Sequence, residues 1–284
     1  MGMLDGKAAI ITGGSSGIGK RIAEVFVEEG ARVVVAARRQ NEGRQLEREL
    51  GANLRFIPTD VSDAVQAKAM VDYAIACFGR IDCLVNNAAT PSPMVSIVDV
   101  DMDNFEQVMA VNVRGVMLGM KLVIPHMLQQ GSGSIINISS VSAIRAGFAG
   151  HTYCASKGAV TQLTRSVASE VGKSRIRVNS ISPGGIATGI FGKVAGVEGE
   201  KADKVLDVVK EMFATLQPIP RSGVTDDIAN AAVFLASDRG SFIHGHDLVV
   251  DGGVSLAGQN WDNVIELRAS LYAKIKETVD RLNN

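Results

Sequence analysis

The chain has 284 residues, of which 46% are hydrophobic and 21% charged, and its formal net charge is -1. This length and composition indicate one large globular domain with a sizeable core. The charges are scattered, so we expect no nucleic-acid partner and no polybasic membrane patch. Cys77, Cys83 and Cys154 are odd in number and irregularly spaced, so they predict neither a disulfide framework nor a metal site.

The first residues, MGMLDGKAAIITGG, lack the charged-then-apolar pattern of a secretory signal. No apolar run in the sequence approaches the about 18 residues that a membrane span needs. Together with the cysteine usage, these features lead us to expect a cytoplasmic protein that does not cross a membrane.

Short apolar runs alternate with helical patterns along the chain. Strands are predicted at 7–12, 31–37, 54–60, 81–88, 133–140, 175–182 and 246–253, and helices at 17–29, 40–50, 63–78, 103–130, 151–171 and 225–236. The strands are nearly continuous in Val, Ile and Leu, which indicates a mostly parallel seven-stranded sheet covered on both faces. The alternation predicts a doubly wound, three-layer α/β domain over residues 1–258.

The stretch TGGSSGIGK lies between the first predicted strand and the first predicted helix. Thr12, Gly13, Gly17 and Gly19 give the spacing T-G-x-x-x-G-x-G. The third glycine of a G-x-G-x-x-G motif would fall at Ile22, and no Lys-Ser/Thr pair of a Walker loop follows. An ordinary turn would use the same glycines, but this place in an α/β fold favours a loop that cradles a dinucleotide pyrophosphate at the helix N-terminus.

The stretch YCASKG places Tyr153 and Lys157 four residues apart, on one face of a predicted helix. A phenol has a pKa near about 10, and a neighbouring ammonium favours the phenolate, so we expect Lys157 to lower the pKa of Tyr153. The ordinary explanation of such a pair is two surface side chains. A serine 13 positions earlier, Ser140, and the segment SPGG downstream favour a catalytic pair instead.

A series of motifs over residues 5–258 resembles the short-chain dehydrogenase/reductase family. In chain order they are TGGSSGIG, TDVSD, NNAA, VNVRG, NISS, YCASK, RVNSISPGG and VDGG. The one small departure is Ala89, where the family more often has glycine. The resemblance implies a Rossmann-type fold and a nicotinamide dinucleotide cofactor.

The resemblance also implies which residues bind that cofactor. These residues form the pyrophosphate loop, contact the adenine, contact the ribose and steady the central strands, or contact the nicotinamide. In chain order they are Gly13, Ser15, Ser16, Gly17, Ile18, Gly19, Asp60, Val61, Asn86, Asn87, Ala88, Ala89, Pro183, Gly184, Ile186 and Thr188, together with Tyr153 and Lys157. No metal is implied.

The family's catalytic tetrad corresponds to Asn112, Ser140, Tyr153 and Lys157. The resemblance implies that Tyr153 is the general acid/base and that Lys157 tunes it and grips the nicotinamide ribose. Ser140 is expected to stabilise charge on the substrate oxygen. Asn112 is expected to hold a water that links Lys157 to solvent.

The end of the second predicted strand distinguishes between the two nicotinamide cofactors. Members that use NAD carry an acidic residue there, whereas this chain has Ala37 followed by Arg38 and Arg39. Arginine binds a phosphate through charge-assisted hydrogen bonds, so NADP(H) is favoured. If both arginines are merely solvated, NAD(H) remains possible.

The segment at about 187–217 is expected to be a lid over the substrate, and its apolar residues favour a small hydrophobic secondary alcohol or ketone. A 3-oxoacyl thioester reductase and a catalytically silent dinucleotide-binding protein are the alternatives. Residues 259–284 have an amphipathic pattern and are predicted to form a C-terminal helical extension. By resemblance we expect a homotetramer, with a dimer as the alternative.

Overall fold

Seven strands form a single sheet in the computed structural model, which describes residues 2–189, 206–256, 266 and 269–270. The strands are β1 (Ala8–Thr12), β2 (Arg32–Ala37), β3 (Leu54–Pro58), β4 (Cys83–Asn86), β5 (Gly133–Ile138), β6 (Ile176–Pro183) and β7 (Asp247–Val250). Their order across the sheet is β3-β2-β1-β4-β5-β6-β7, and every neighbouring pair is parallel. The predicted fold class is confirmed, with a sheet that is entirely parallel.

Helices cover both faces of this sheet, as the apolar strands require. They are α1 (Gly17–Glu28), α2 (Gln40–Leu50), α3 (Ala64–Phe78), α4 (Met102–Met109), α5 (Gly115–Gln130), α6 (His151–Val171), α7 (Leu206–Leu216) and α8 (Thr225–Ala236). Phe26 and Ile228 belong to the core on one face, while Met70, Met120 and Val160 belong to the core on the other. The strand order reverses between β1 and β4, and that reversal opens a crevice at the carboxyl edge of the sheet.

The helix predicted at 103–130 is interrupted where the sequence places a catalytic residue. A π-helical turn, Ala110–Arg114, separates α4 from α5, and Asn112 is fully buried within it. A π turn widens the helix by one residue and is often found at a functional site. The apolar pattern of this segment shows no sign of the interruption.

The continuous helical stretch Met102–Gln130 is, by length and composition alone, long and apolar enough to cross a membrane, with a mean hydropathy of 1.5. The expectation that the chain does not cross a membrane stays a prediction. Met120, Val123 and Met127 of α5 are buried against the sheet, which is the packing of a core helix. A core helix of a soluble protein passes the same composition test.

Two predicted segments lie largely outside the described residues. Residues 190–205 of the predicted lid are among these, and only α7 and the residues next to β6 are described from it. Of the predicted C-terminal extension, 259–284, only residues 266 and 269–270 are described, and they are helical.

Candidate active site

A cavity of about 910 Å³ lies at the carboxyl edge of the sheet. Residues that follow β1, β2, β3, β4, β5 and β6 all contribute to its wall, because parallel strands end at the same edge. Most of the predicted site residues line it: Gly13, Ser15, Ser16, Gly17, Ile18, Arg38, Arg39, Asp60, Val61, Asn87, Ala88, Ala89, Ser140, Tyr153, Lys157, Pro183, Gly184, Ile186 and Thr188. Gly19, Asn86 and Asn112 do not.

The cavity has two chemically different ends. The glycine end is lined by the residues from Gly13 to Ile18 together with Arg38, Asp60 and their neighbours. The apolar end is lined by Met94, Phe148, Met212, Phe213 and Leu216, with Arg145 among them. The Ser140–Tyr153–Lys157 group also lines this cavity.

Backbone conformation shapes the glycine end. Gly13 has a φ of +66° and Gly17 a φ of +54°, which is the left-handed region that glycine tolerates best. A Cβ at Gly13 would come within 2.8 Å of the Ala88 Cα. The loop thus leaves its backbone open to the cavity at the start of α1, which is the arrangement that fits a pyrophosphate.

Hydrogen bonds hold the loop after β1 against the loop after β4. The Thr12 hydroxyl accepts from the Asn87 amide N–H at 3.0 Å and from the Ala88 amide N–H at 3.1 Å. The Asn87 side chain donates to the Thr12 carbonyl at 2.9 Å. Gly19 packs against Asn87 and leaves no room for a Cβ, so its contribution is close packing rather than contact with the cavity.

Asn86 lies on the strand and not in the cavity. It is buried, and its side-chain amide donates to the Asn137 side-chain carbonyl on β5 at 2.8 Å. Asn86 was expected to contact the cofactor ribose and to steady the central strands. Its geometry fits the second role, and Asn87 is the neighbour that lines the cavity.

Ser140 and Tyr153 are two of the predicted catalytic residues, and both line the cavity. The Ser140 oxygen accepts from the Ser142 amide N–H at 3.2 Å, so its O–H is available to donate to a substrate oxygen. Burial raises the pKa of Tyr153 to about 12, against the opposing effect of a hydrogen bond with the Ser140 side chain. Tyr153 as a residue is partly exposed, and it lines the cavity.

Lys157 is buried beside this phenol. Its ammonium lies 5.5 Å from the centre of the Tyr153 ring and donates to the Ile138 carbonyl at 2.8 Å. Burial lowers the pKa of Lys157 to about 8. Burial disfavours the charged form of both groups, so it acts against a phenolate at Tyr153. That Lys157 lowers the pKa of Tyr153 stays a prediction.

The Asn112 side chain connects the π turn to two other elements. Its oxygen accepts from the Thr90 amide N–H at 2.8 Å, and its amide donates to the Thr90 carbonyl and to the Ser156 hydroxyl, each at 3.0 Å. Both N–H groups of the amide are thus used within the protein. Asn112 holds the loop after β4 against α6, and the water-holding role stays a prediction.

Ser92 is a site residue that the sequence reasoning missed. Its buried hydroxyl accepts from the Tyr153 amide N–H at 3.1 Å, at the first turn of α6, where helical N–H groups have no partner within the helix. Ser156 donates to the Tyr153 carbonyl at 2.8 Å. Tyr153 is therefore held through both backbone groups, and no local pattern in TPSP could have revealed a partner 61 positions away.

The two arginines after β2 differ in their surroundings. Arg39 pairs with Glu42 at 3.5 Å. Arg38 is exposed and has no hydrogen-bonding or ion-pair partner within the described part of the chain. It faces Asp60, whose pKa is lowered mainly by a hydrogen bond from the Ser62 hydroxyl and further by the Arg38 charge.

A doubly wound sheet, a glycine loop at its crevice and a Ser-Tyr-Lys group in the wall of the same cavity define an oxidoreductase that uses a nicotinamide dinucleotide. Comparison with known proteins agrees. A family model described as "Enoyl-(Acyl carrier protein) reductase" matches residues 13–255. The chain belongs to the short-chain dehydrogenase/reductase family.

Several curated proteins are similar over most of their length. Secoisolariciresinol dehydrogenase of Forsythia intermedia is 38% identical, covering 89% of this chain and 90% of the relative. Tropinone reductase-like 2 of Erythroxylum coca is 41% identical, covering 89% and 92%. (+)-Borneol dehydrogenase 2 of Salvia officinalis is 40% identical, covering 87% and 89%.

A solved structure is similar in fold and sequence. The crystal structure of 3-ketoacyl-(acyl-carrier-protein) reductase from Brucella melitensis complexed with NADH is 32% identical. The match covers 89% of this chain and 99% of that chain, with a TM-score of 0.80.

Proposed function

We propose that this protein interconverts a hydrophobic secondary alcohol and its ketone, with NADP(H) as the favoured cofactor. One observation carries the proposal: Ser140, Tyr153 and Lys157 share one cavity with the glycine end and with the apolar end. A cofactor held at the first and an apolar substrate held at the second would both reach the phenol.

The bound nicotinamide supplies or accepts the hydride. In reduction, Tyr153 donates its phenolic proton to the carbonyl oxygen while the Ser140 O–H donates a hydrogen bond to the same oxygen. In oxidation, the phenolate takes the proton of the alcohol. Lys157, fixed by the Ile138 carbonyl, supplies a positive charge next to the ring while it is protonated, which favours the phenolate when it forms.

Arg38 supports the preference for NADP(H). It follows a strand that ends in Ala37, where an acidic residue would accept bonds from the ribose of NAD. Its guanidinium is exposed at the glycine end and can bind a 2′-phosphate. The solved neighbour was crystallised with NADH, so NAD(H) is the alternative cofactor for the experiment to weigh.

The apolar end supports a bulky hydrophobic substrate. Helix α7 closes this end, and the Phe213 ring lies so close to Gly185 that a Cβ there would come within 2.5 Å of it. The curated relatives are named for borneol, tropinone and secoisolariciresinol. A 3-oxoacyl thioester is the second candidate, because the solved neighbour is named as a 3-ketoacyl-(acyl-carrier-protein) reductase.

The test is the oxidation of NADPH, followed by its absorbance, with camphor, 4-phenylcyclohexanone or acetoacetyl-CoA as substrate. We expect turnover of the cyclic ketones and little of the thioester. Faster turnover of acetoacetyl-CoA would replace the proposal by the thioester reductase. NADPH binding without turnover of any of the three would leave the silent dinucleotide-binding protein as the better explanation.

We also propose a homotetramer, with a dimer as the alternative. Phe242, which precedes β7, exposes its whole side chain, and the edge strand β7 leaves unpaired backbone groups with which a second subunit can pair. Sedimentation velocity of the wild type and of Phe242→Ser tests this, and a monomeric wild type would contradict it.

A further inference from the structure

We propose that Arg145 determines substrate specificity by binding a second oxygen of the substrate, remote from the reacting carbonyl. This inference rests on the proposed function and narrows its substrate class. The substrate would be an apolar secondary alcohol or ketone that also carries a hydrogen-bond acceptor, with a carboxylate the strongest form of it.

The position of Arg145 is the first argument. It lies in the connection between Ser140 and Tyr153, and it lines the cavity at the apolar end. The other charged residues of the cavity wall within the described chain are Arg38, Arg39 and Asp60 at the glycine end and Lys157 beside the phenol. Arg145 is therefore the one charged residue among the described lining residues that belongs neither to the glycine end nor to the phenol's own surroundings.

The hydrogen bonding of Arg145 is the second argument. One terminal nitrogen donates to the Ser255 carbonyl at 2.7 Å, which fixes the guanidinium against the segment that follows β7. A guanidinium has five N–H donors in a planar fork, so most of them remain for another acceptor. Arg145 also forms no ion pair with a carboxylate in the part of the chain that the structure describes, so no acidic side chain there competes with a substrate for it.

The removal of water from the Arg145 donors on substrate binding would make the site specific. Arg145 is partly exposed, so water solvates its remaining donors when no substrate is bound. An apolar substrate that fills the cavity removes this water and leaves the donors without acceptors. A site that is built to hydrogen-bond a substrate rejects the analogue that lacks the partner, since buried unpaired donors are costly.

The experiment compares three ketones that differ only far from the reacting carbonyl. They are 4-phenylcyclohexanone, methyl 4-(4-oxocyclohexyl)benzoate and 4-(4-oxocyclohexyl)benzoate. Initial rates with NADPH are measured for the wild type, Arg145→Met and Arg145→Lys. Arg165→Met is the matched control, because Arg165 is exposed on α6 and does not line the cavity.

We expect the wild type to prefer an oxygenated ketone over the plain ketone by about tenfold in kcat/KM, mainly through KM. Arg145→Met should bring that ratio close to one, and Arg165→Met should leave it as in the wild type. If Arg145→Lys keeps the preference for the acid over the plain ketone but loses the preference for the ester, the acceptor is a carboxylate. A ratio that is the same in the wild type and in Arg145→Met would overturn the inference while leaving the proposed function intact.

A binding measurement separates this inference from the proposed function. Isothermal titration calorimetry follows the binding of 4-(4-oxocyclohexyl)benzoate to the NADP⁺-saturated wild type and to NADP⁺-saturated Arg145→Met. Binding that weakens by about tenfold in Arg145→Met supports the inference even if none of the ketones is turned over. Binding that is equal in the two proteins, or absent from both, overturns it.

Discussion

The two ends of the cavity are built in different ways. At the glycine end, the backbone makes the surface: Gly13 and Gly17 adopt left-handed conformations, and Thr12 and Asn87 fix their loops to each other. At the apolar end, side chains make the surface, and they come from the loop after β4, the loop before α6, and α7. The glycine loop itself, residues 13–18, is a short, continuous stretch of sequence, whereas the apolar end is assembled from three separate segments.

The two ends differ in how specific their ligands are: dinucleotide binding is general, whereas substrate binding is particular to this protein. A backbone cradle next to a helix N-terminus suits any dinucleotide, because it recognises phosphates that all of them share. On the proposed function, the wall with Met94, Phe148, Met212 and Arg145 is the part that contacts the substrate. The glycine end then determines which class of cofactor binds, and the apolar end determines which substrate does.

The largest expected effect concerns the Tyr153 phenol, which lies in the cavity that the two ends share. Tyr153→Phe removes the proton donor, so kcat should fall between about 100-fold and 10,000-fold. The variant should still bind NADPH, since the glycine end is untouched. Single-turnover reduction of 4-phenylcyclohexanone measures the first effect and nicotinamide fluorescence the second. Activity within a few-fold of the wild type would refute the proposed mechanism.

Substitution of Gly13 tests whether the glycine end depends on its backbone. Gly13→Ala forces a Cβ against the Ala88 Cα in a left-handed conformation, so the free energy of unfolding should fall by about 3 kcal/mol.

The matched control for that change is Gly131→Ala. Gly131 is left-handed, with a φ of +71°, but no atom lies within 4 Å of the position that a Cβ would take there, so this variant should lose only about 1 kcal/mol. Urea unfolding measures both variants. Equal losses would show that the close approach at Gly13 contributes nothing.

Lys157 predicts a pH dependence of stability. Burial lowers its pKa from 10.5 to about 8, so between these values the unfolded chain binds a proton that the folded chain does not. The free energy of unfolding should therefore rise with pH, by about 2 kcal/mol between pH 8 and 10, relative to Lys157→Met.

The window ends near pH 10 because the lysine of the unfolded chain loses its own proton near pH 10.5, and in each protein taken alone Tyr153 then acts in the opposite direction. Its pKa is raised from 10.0 to about 12, so its contribution to stability is present below pH 10 and is lost as the pH rises towards 12. Urea unfolding of both proteins at several pH values checks the sign. A difference that stays flat, or that falls between pH 8 and 10, would contradict the burial of the lysine charge.

Arg38 tests the chemical selectivity of the glycine end. Arg38→Ala should weaken NADPH binding by about 30-fold and NADH binding far less, because only NADPH carries the 2′-phosphate. Arg39→Ala should have the smaller effect, since Arg39 pairs with Glu42. Fluorescence titrations measure all four affinities. Equal weakening of the two cofactors would exclude Arg38 as the phosphate-binding residue.

The smallest expected effect concerns Ser92, which holds the first turn of α6. Ser92→Ala leaves the Tyr153 amide N–H without its acceptor, so the free energy of unfolding should fall by about 1 kcal/mol. A displaced Tyr153 should also lower kcat a few-fold. Ser92→Thr keeps a hydroxyl and should restore both quantities. Failure of Thr to restore kcat would indicate that packing, rather than the hydrogen bond, matters at this position.

The sequence alone predicted the layout of the domain and most of the glycine end. Continuous apolar runs such as RVVVAA can only be buried on both faces, and that requirement leads to a parallel sheet under two layers of helices. The spacing of the glycines at 13, 17 and 19 predicts a loop that binds a pyrophosphate, because the backbone conformation that glycine permits is a local property. Tyr153 and Lys157 were recognisable since a helix places i and i+4 together.

Only the tertiary structure brought together residues that are distant along the chain. Ser92 reaches Tyr153, Asn112 reaches both Thr90 and Ser156, and Arg145 reaches Ser255. The structure also decided the sign of the effects on Tyr153 and Lys157, because burial depends on everything packed around them. Local conformation depends on residues that are neighbours in the sequence, and the sequence therefore predicts it. Desolvation and contacts between distant residues depend on the folded chain, so only the tertiary structure decides them.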